Sequence, residues 1–447
     1  MNQLLTAVIL TISGIYIYLI WRSTYLGWLS ILAVQFYEYS FGVEPVVVGE
    51  LHLDAVDLVS IGLLVAGLLR TLPRLRERNT ARVIGVGYLA IFASSLIRGF
   101  LANGFIPAAN ESRGFVPLLI ALLYFLTAPA DPALLRKYLS SYLYYGFGFV
   151  IVALLAYAGF HVGGVAWLHS STQLSNTIED RLLPAAAVLG VALGFILSLS
   201  WSRQRDPAKL SQWLPAVFLG AAIFLRHRSV WLVLISATIT LFVTDRRLFR
   251  RLVSMAVFSL LVIAVFATVA SLTAEVGGGA SGAAEDTQEE FAYSASEAGT
   301  WQWRVDVWRS FVFGEDQTFE TVLFGKGLGG GYVNLAPTSG HWEISPPHSE
   351  YVAQYSRVGL IGMCFLFWFL YRPIFRYWVL STDEELEMDP PASTWIAVLV
   401  GTLVYGITYS ISLDAFALVG IACAALARFD APALVELKKL APSQSPA

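Results

Sequence analysis

Apolar residues in this chain fall in long runs broken by short charged stretches. A helix that crosses a bilayer needs roughly 20 mostly apolar residues, with short forms near 17. Runs of that kind lie at roughly 3–21, 24–41, 56–70, 82–98, 114–129, 138–158, 182–200, 212–225, 229–244, 252–272, 349–371, 394–410 and 412–428. They predict an all-α integral membrane protein with about 12–13 transmembrane helices. The run at 212–225 is short and the last two nearly touch, which leaves the count open by one. The first segment, MNQLLTAVILTISGIYIYLIWR, has no basic n-region and no A-x-A cleavage site, so it is expected to be a retained helix.

One long polar stretch interrupts this pattern. The expected division is residues 1–272 as about ten helices, 273–348 as a large loop, 349–428 as the last helices and 429–447 as a tail. The tail ends APSQSPA and reads as disordered.

Composition supports the lipid setting. Of 447 residues 56% are hydrophobic and 14% charged, and the mean hydropathy is +0.64. Soluble domains carry about a quarter charged residues, so this chain has too few to cover a surface facing water. Cys364 and Cys423 both stand in apolar runs and are expected to be small buried side chains, with no disulfide or metal site.

The placement of charge gives an orientation. Lys and Arg mark cytoplasmic loops. They cluster at Arg70, Arg74, Arg76, Arg78 and Arg82, at Arg136 and Lys137, at Arg203, Arg205 and Lys209, and at Arg246, Arg247, Arg250 and Arg251. Arg372, Arg376, Lys438 and Lys439 follow. These clusters take alternate loops, so a single topology accommodates them. It places the tail inside the cell, and loop 273–348 outside with the loops near 43–55, 99–113, 159–181 and 226–228. All six histidines, His52, His161, His169, His227, His341 and His348, then fall at the outer side. The outer loop is acidic through Glu285, Asp286, Glu289 and Glu290, so an arginine there is a local exception.

Within that loop, 276–300 is rich in Gly, Ala, Ser and acid and reads as a linker. Thr300 is the expected N-cap of a helix on which Trp301, Val305, Trp308 and Val312 recur at helical spacing. Such a helix is expected to lie at the membrane surface, its tryptophans at headgroup level. Arg304 shares their face, four residues before Trp308. Next, LFGKGLGGGY (323–332) places glycine at 325, 327, 329, 330 and 331, a turn able to approach a ligand or another backbone closely. It is either a structural turn or an anion-binding nest of N–H groups, and it is not a Walker A loop. Pro346 and Pro347 then stop any helix, and His348 stands at the mouth of the following span beside Glu350. A histidine with a carboxylate neighbour can act as a base near neutral pH. Arg226 and Arg228 stand between two apolar runs on the side poor in positive charge, where cations are costly and tend to be functional. Their guanidinium groups match phosphate oxygens. Arg98, Arg113 and Arg181 also fall near outer helix ends.

Arg228, Arg304 with Trp308, Phe324-Gly325-Lys326-Gly327-Leu328-Gly329 and His348-Ser349-Glu350-Tyr351-Val352 occur in an order and spacing that resembles the O-antigen ligase and O-antigen polymerase (Wzy) superfamily. The resemblance covers residues 224–357. The earlier helices match in number and apolarity. It implies a GT-C-like glycosyltransferase of the bacterial inner membrane that works without a metal or other cofactor. Such an enzyme would take a glycan from undecaprenyl pyrophosphate at the periplasmic face and hand it to a growing glycan or to lipid A core. By the same resemblance Arg228 and Arg304 bind the pyrophosphate and His348 acts as base or acceptor-positioning group. Arg226, His341, Glu350, Trp308, Gly325 and Gly327 are the expected substrate contacts. The chain departs from the family's small-residue context around the first arginine, having Arg226-His227-Arg228-Ser229 instead, so either arginine could be the one that works.

The residues fit this chemistry independently. Cleaving the bond from C1 to pyrophosphate builds negative charge on the leaving phosphate, which arginines stabilise without a metal. No D-x-D or H-E-x-x-H motif occurs. Membrane lipids and polysaccharide export machinery are the further expected partners, and nucleic acid is not. The alternatives are a transporter or flippase and a non-catalytic assembly partner. A transporter should show repeats, broken helices and ionisable groups at mid-membrane. Glu38, Asp57 and Asp414 instead fall near the ends of the expected spans.

Overall fold

The computed structural model describes residues 2–41, 46–48, 51–72, 80–129, 131–157, 183–201, 213–225, 227–245, 250, 298–314, 317–331, 333–335, 342–344, 347–380 and 391–427. It is almost entirely helical. Helices α1 (Asn2–Arg22) and α2 (Thr24–Phe41) lead to a hairpin, β1 (Val46–Val48) with β2 (Leu51–Leu53). Helices α3 (Ala55–Thr71), α4 (Thr80–Asn103) and α5 (Phe105–Ser112) follow. After a 3-10 turn, α6 (Val116–Ile120) runs into a π-helical turn at Ala121–Phe125. Then come α7 (Pro132–Tyr157), α8 (Ala185–Trp201), α9 (Leu214–Phe224) and α10 (Arg228–Thr244). In the expected outer loop lie α11 (Ala298–Phe313), α12 (Phe319–Phe324) and a second antiparallel hairpin, β3 (Val333–Leu335) with β4 (Trp342–Ile344). The chain closes with α13 (Glu350–Leu380), α14 (Ala392–Thr408) and α15 (Leu413–Leu426).

Most expected spans appear as helices within a few residues, and 252–272 lies outside the described residues. Helices able to cross a membrane are nevertheless fewer than expected among the described residues. Among the described residues Val83–Asn103, Pro132–Ala156 and Glu350–Phe375 are long and apolar enough to cross alone. A fourth span arises if Thr11–Arg22 and Thr24–Phe41, which meet at a 120° bend, are taken together. The remaining apolar helices are short. Ala185–Trp201 has 17 residues, about 26 Å at 1.5 Å per residue, against a hydrocarbon core of about 30 Å.

Burial explains how these short helices are accommodated. α8, α14 and α15 are buried along nearly their whole length and form the centre of the bundle. Outer helices expose apolar stripes instead. On α10 these are Leu232, Ile235, Ile239, Phe242 and Val243, spaced as one helical face. Trp28, Tyr124, Tyr138, Tyr142 and Phe149 fill the core between α2, α7 and the π-turn.

Several expectations need correction. The run at 114–129 is not one uniform helix. Pro117 lacks the N–H that a continuous helix from Arg113 would use, and it opens a new one. Thr300 is not an N-cap, because α11 already starts at Ala298. Cys364 is exposed on α13, and only Cys423 is buried. Asp414, although in the first turn of its helix, is buried at 1% exposure.

Candidate active site

α11 carries Arg304 and Trp308 one turn apart, so they share a face. The Trp308 indole N–H donates to the carbonyl of Pro347 at 2.7 Å. That bond sets α11 against the segment bearing His348. The Arg304 guanidinium carbon stands 5.4 Å over the ring of Tyr409. The His348 ring meets the same ring edge-on, with centroids 6.4 Å apart. Tyr409 in turn stacks on Tyr405 of α14, 5.4 Å away. Arg304 and His348 therefore converge on Tyr409. The Nε of Arg304 is buried and makes no hydrogen bond.

His348 has φ of +45°, a left-handed conformation that costs a non-glycine residue about 1–2 kcal/mol. The turn follows Pro347 directly and aims the chain into α13, whose start is fixed by neighbours. Ser349 Oγ faces the Gly406 carbonyl at 3.5 Å, and the Tyr351 hydroxyl donates to Leu403 O at 2.8 Å. Burial, and then the positive charge of Arg304, hold the His348 imidazole below its ordinary pKa. It is thus neutral near pH 7, the form a base requires.

Glu350 adjoins His348 in sequence, but its carboxylate is engaged elsewhere. It is 3% exposed. One oxygen accepts from Gln354 Nε2 at 2.7 Å and the other from the Ile411 N–H at 3.0 Å. Gln354 Oε1 also accepts from the Tyr88 hydroxyl. Glu350 thereby ties the loop after Tyr409 to the start of α13.

Arg228 is the exposed first residue of α10. α10 runs antiparallel to α14: Ser393 donates to Asp245 at 3.4 Å, and Gly401 lies against Val233. Arg228 therefore stands at the Tyr409 end of the bundle. His227 beside it is buried, its Nε2 3.1 Å from Leu183 O. Arg226 and His341 lie outside the described residues.

The glycine turn packs backbone on backbone. A Cβ at Gly325 would stand 2.6 Å from Val358 N, and one at Gly327 2.8 Å from Gly99 N. Arg98 donates to Gly325 O at 2.8 Å and to Phe324 O at 2.6 Å. Arg357, 3% exposed, donates to Gly327 O at 3.2 Å and also to Gly331 O. The Gly329 N–H points at the Glu111 carboxylate, which forms an ion pair with Arg357. Among the described residues the turn's Gly329 N–H is met by the chain's own Glu111, and Gly325 and Gly327 sit where the turn crosses α4 and α13.

Arg113 pairs with Asp57 at 3.4 Å and approaches Asp54 at 4.0 Å. Tyr409, Arg357 and Glu111 were not singled out in the sequence. A signal for Tyr409 did exist: it stands in TYSIS, where the runs at 394–410 and 412–428 nearly touch, four residues after another tyrosine.

No family model matches the chain, and no curated protein matches it.

Proposed function

We propose that this chain is a glycosyltransferase of the bacterial inner membrane, with its site at the periplasmic face. It would move a glycan from undecaprenyl pyrophosphate to a glycan or lipid acceptor, as a polysaccharide polymerase or an O-antigen ligase does. The convergence of Arg304 and His348 on Tyr409, at the bundle end that also carries Arg228, supports this reading most strongly. In the reaction the acceptor hydroxyl attacks the anomeric carbon, and its proton passes to neutral His348. The C1–oxygen bond breaks, and the leaving pyrophosphate is stabilised by Arg304 and Arg228. Arg304 is already half-buried and stacked, so little ordering is required of it when the diphosphate arrives.

The test is transfer from a lipid-linked donor by the purified chain. Arg304→Ala and His348→Ala should each abolish it while the protein still inserts and purifies. Normal surface glycan in cells carrying either variant would end the enzyme reading. Deleting the gene separates the two forms: shortened chains mark a polymerase, full-length chains left on the carrier a ligase. A second reading, transport, draws on the break in α13 at Gly359 and on buried Asp414. It predicts substrate movement that survives His348→Ala.

A further inference from the structure

A second cluster of buried oxygens lies between α2, α7 and α15. One Asp414 oxygen accepts from the Tyr142 hydroxyl over a long 3.3 Å, and the other, Oδ1, has no hydrogen-bond partner. Tyr145, one turn further along α7, and Ser412, immediately before α15, lie beside the same carboxyl. The hydroxyls of both are buried and complete no well-directed hydrogen bond among the described residues. Tyr39 of α2 lies beside Ser412 and donates to Gln35 at 2.8 Å, and Gln35 donates to Glu38 at 3.1 Å. Among the described residues no basic side chain is one of the groups facing Asp414.

A carboxylate so placed pays heavily for lost water unless a charge compensates it. The start of α15 supplies part of that charge, yet Oδ1 stays unpartnered. Both hydroxyls lie within interaction distance of the carboxyl, yet neither they nor Oδ1 completes a well-directed hydrogen bond, so a cation between them would satisfy oxygens that the protein leaves poorly paired. The donor set is all oxygen, which suits a hard cation rather than a soft metal. A divalent ion would want more carboxylates, and the described residues hold no group of three or more His, Cys, Asp or Glu able to bind a metal.

We propose that Asp414, Tyr145 and Ser412 bind a monovalent cation, sodium, within the helix bundle. The ion would neutralise Asp414 and join α15 to α7. Ser412 follows Tyr409 by three residues, so occupancy would also stiffen the loop beneath Arg304. The proposal is independent of glycosyl transfer.

The test is thermal unfolding of the purified full-length chain in detergent, at equal ionic strength in sodium, potassium and choline chloride. Saturating sodium should raise Tm over choline by roughly 3 °C at one hundred times the dissociation constant. Asp414→Asn should remove the sodium response while keeping Tm in choline at least as high as in the unsubstituted chain. Tyr145→Phe, which leaves the charge intact, should raise the sodium concentration needed by about tenfold. Equal Tm in sodium and choline would overturn the proposal, as would a full sodium response in Asp414→Asn. If Asp414→Asn does not fold, an unchanged sodium midpoint in Tyr145→Phe overturns it alone. A Tm that varies with pH identically in all three salts would show that a proton, not sodium, occupies the site.

Discussion

Three glycines share one backbone conformation in three different settings, so their alanine variants separate conformational strain from steric contact. Gly104 has φ, ψ of 87°, 167°, Gly325 of 75°, 172°, and Gly359 of 64°, −170°. That region is essentially restricted to glycine and costs any other residue about 1–3 kcal/mol. At Gly104 an added methyl meets nothing within 4 Å, so its alanine variant should lose only that amount. At Gly359 the methyl would drive into Leu323 O and the Gly325 N–H, closer than real Cβ atoms approach backbone. Relieving that contact means moving α12 off α13, which should add about 1–3 kcal/mol by analogy with overpacking. Gly330 is the control, since its nearest neighbours are side-chain ends at 3.7 Å and its φ is not positive. Its alanine variant should stay within about 0.5 kcal/mol. Unfolding entropy scaled to a chain of 447 residues gives about 1 °C per kcal/mol. Thermal unfolding of the purified variants should therefore rank Gly330→Ala near zero, Gly104→Ala lower by about 1–3 °C and Gly359→Ala by about 2–6 °C. If Gly359→Ala matches Gly104→Ala, the close crossing of α12 over α13 is wrong. If Gly104→Ala matches Gly330→Ala, the strain argument fails.

Arg304→Lys keeps the charge but loses the planar group over Tyr409, so transfer should fall at least about tenfold, or 1.4 kcal/mol in transition-state stabilisation; transfer at the original rate would make Arg304 a headgroup anchor. Protonation of His348 is opposed by burial and by Arg304, so its modification by diethylpyrocarbonate, followed by mass spectrometry, should titrate with a midpoint below 6.5. Arg304→Gln should move that midpoint upward, and a midpoint above 6.5 in the unsubstituted chain would contradict the geometry. Because the imidazole must be neutral, transfer should persist to lower pH than an ordinary histidine base allows, and fail as pH drops through that lowered midpoint. His348→Gly should abolish transfer yet unfold no more easily, since glycine accepts φ of +45° without the cost of about 1 kcal/mol. Arg357→Met should destabilise the chain by about 3–5 kcal/mol, read by thermal unfolding, because it leaves Glu111 half-buried beside carbonyls that have lost their donor.

The helices were legible in the sequence because lipid imposes a simple rule: apolar residues continue until the bilayer ends. That rule located most helices and placed Arg228, Arg304 and His348 between apolar runs. It reports local polarity and says nothing about which segments cross. The glycine run shows the limit. Five glycines within seven residues demand a close approach, and both an anion nest and a structural crossing satisfy that demand; Arg98, Arg357 and Glu111, drawn from three other helices, decide for the crossing. Glu350 shows the same limit from the other side. Adjacency in sequence suggested a partner for His348, but the left-handed turn at His348 and the start of α13 send the carboxylate inward to Gln354 and Ile411. Its contribution to the site then passes through Ile411, by holding the loop on which Tyr409 stands. Tyr409 itself acquires meaning only when α11 lies across the mouth of α14, and the indole bond from Trp308 to Pro347 is one contact that holds that crossing. A residue read as a membrane-surface tryptophan thus helps to bring the arginine and the histidine together.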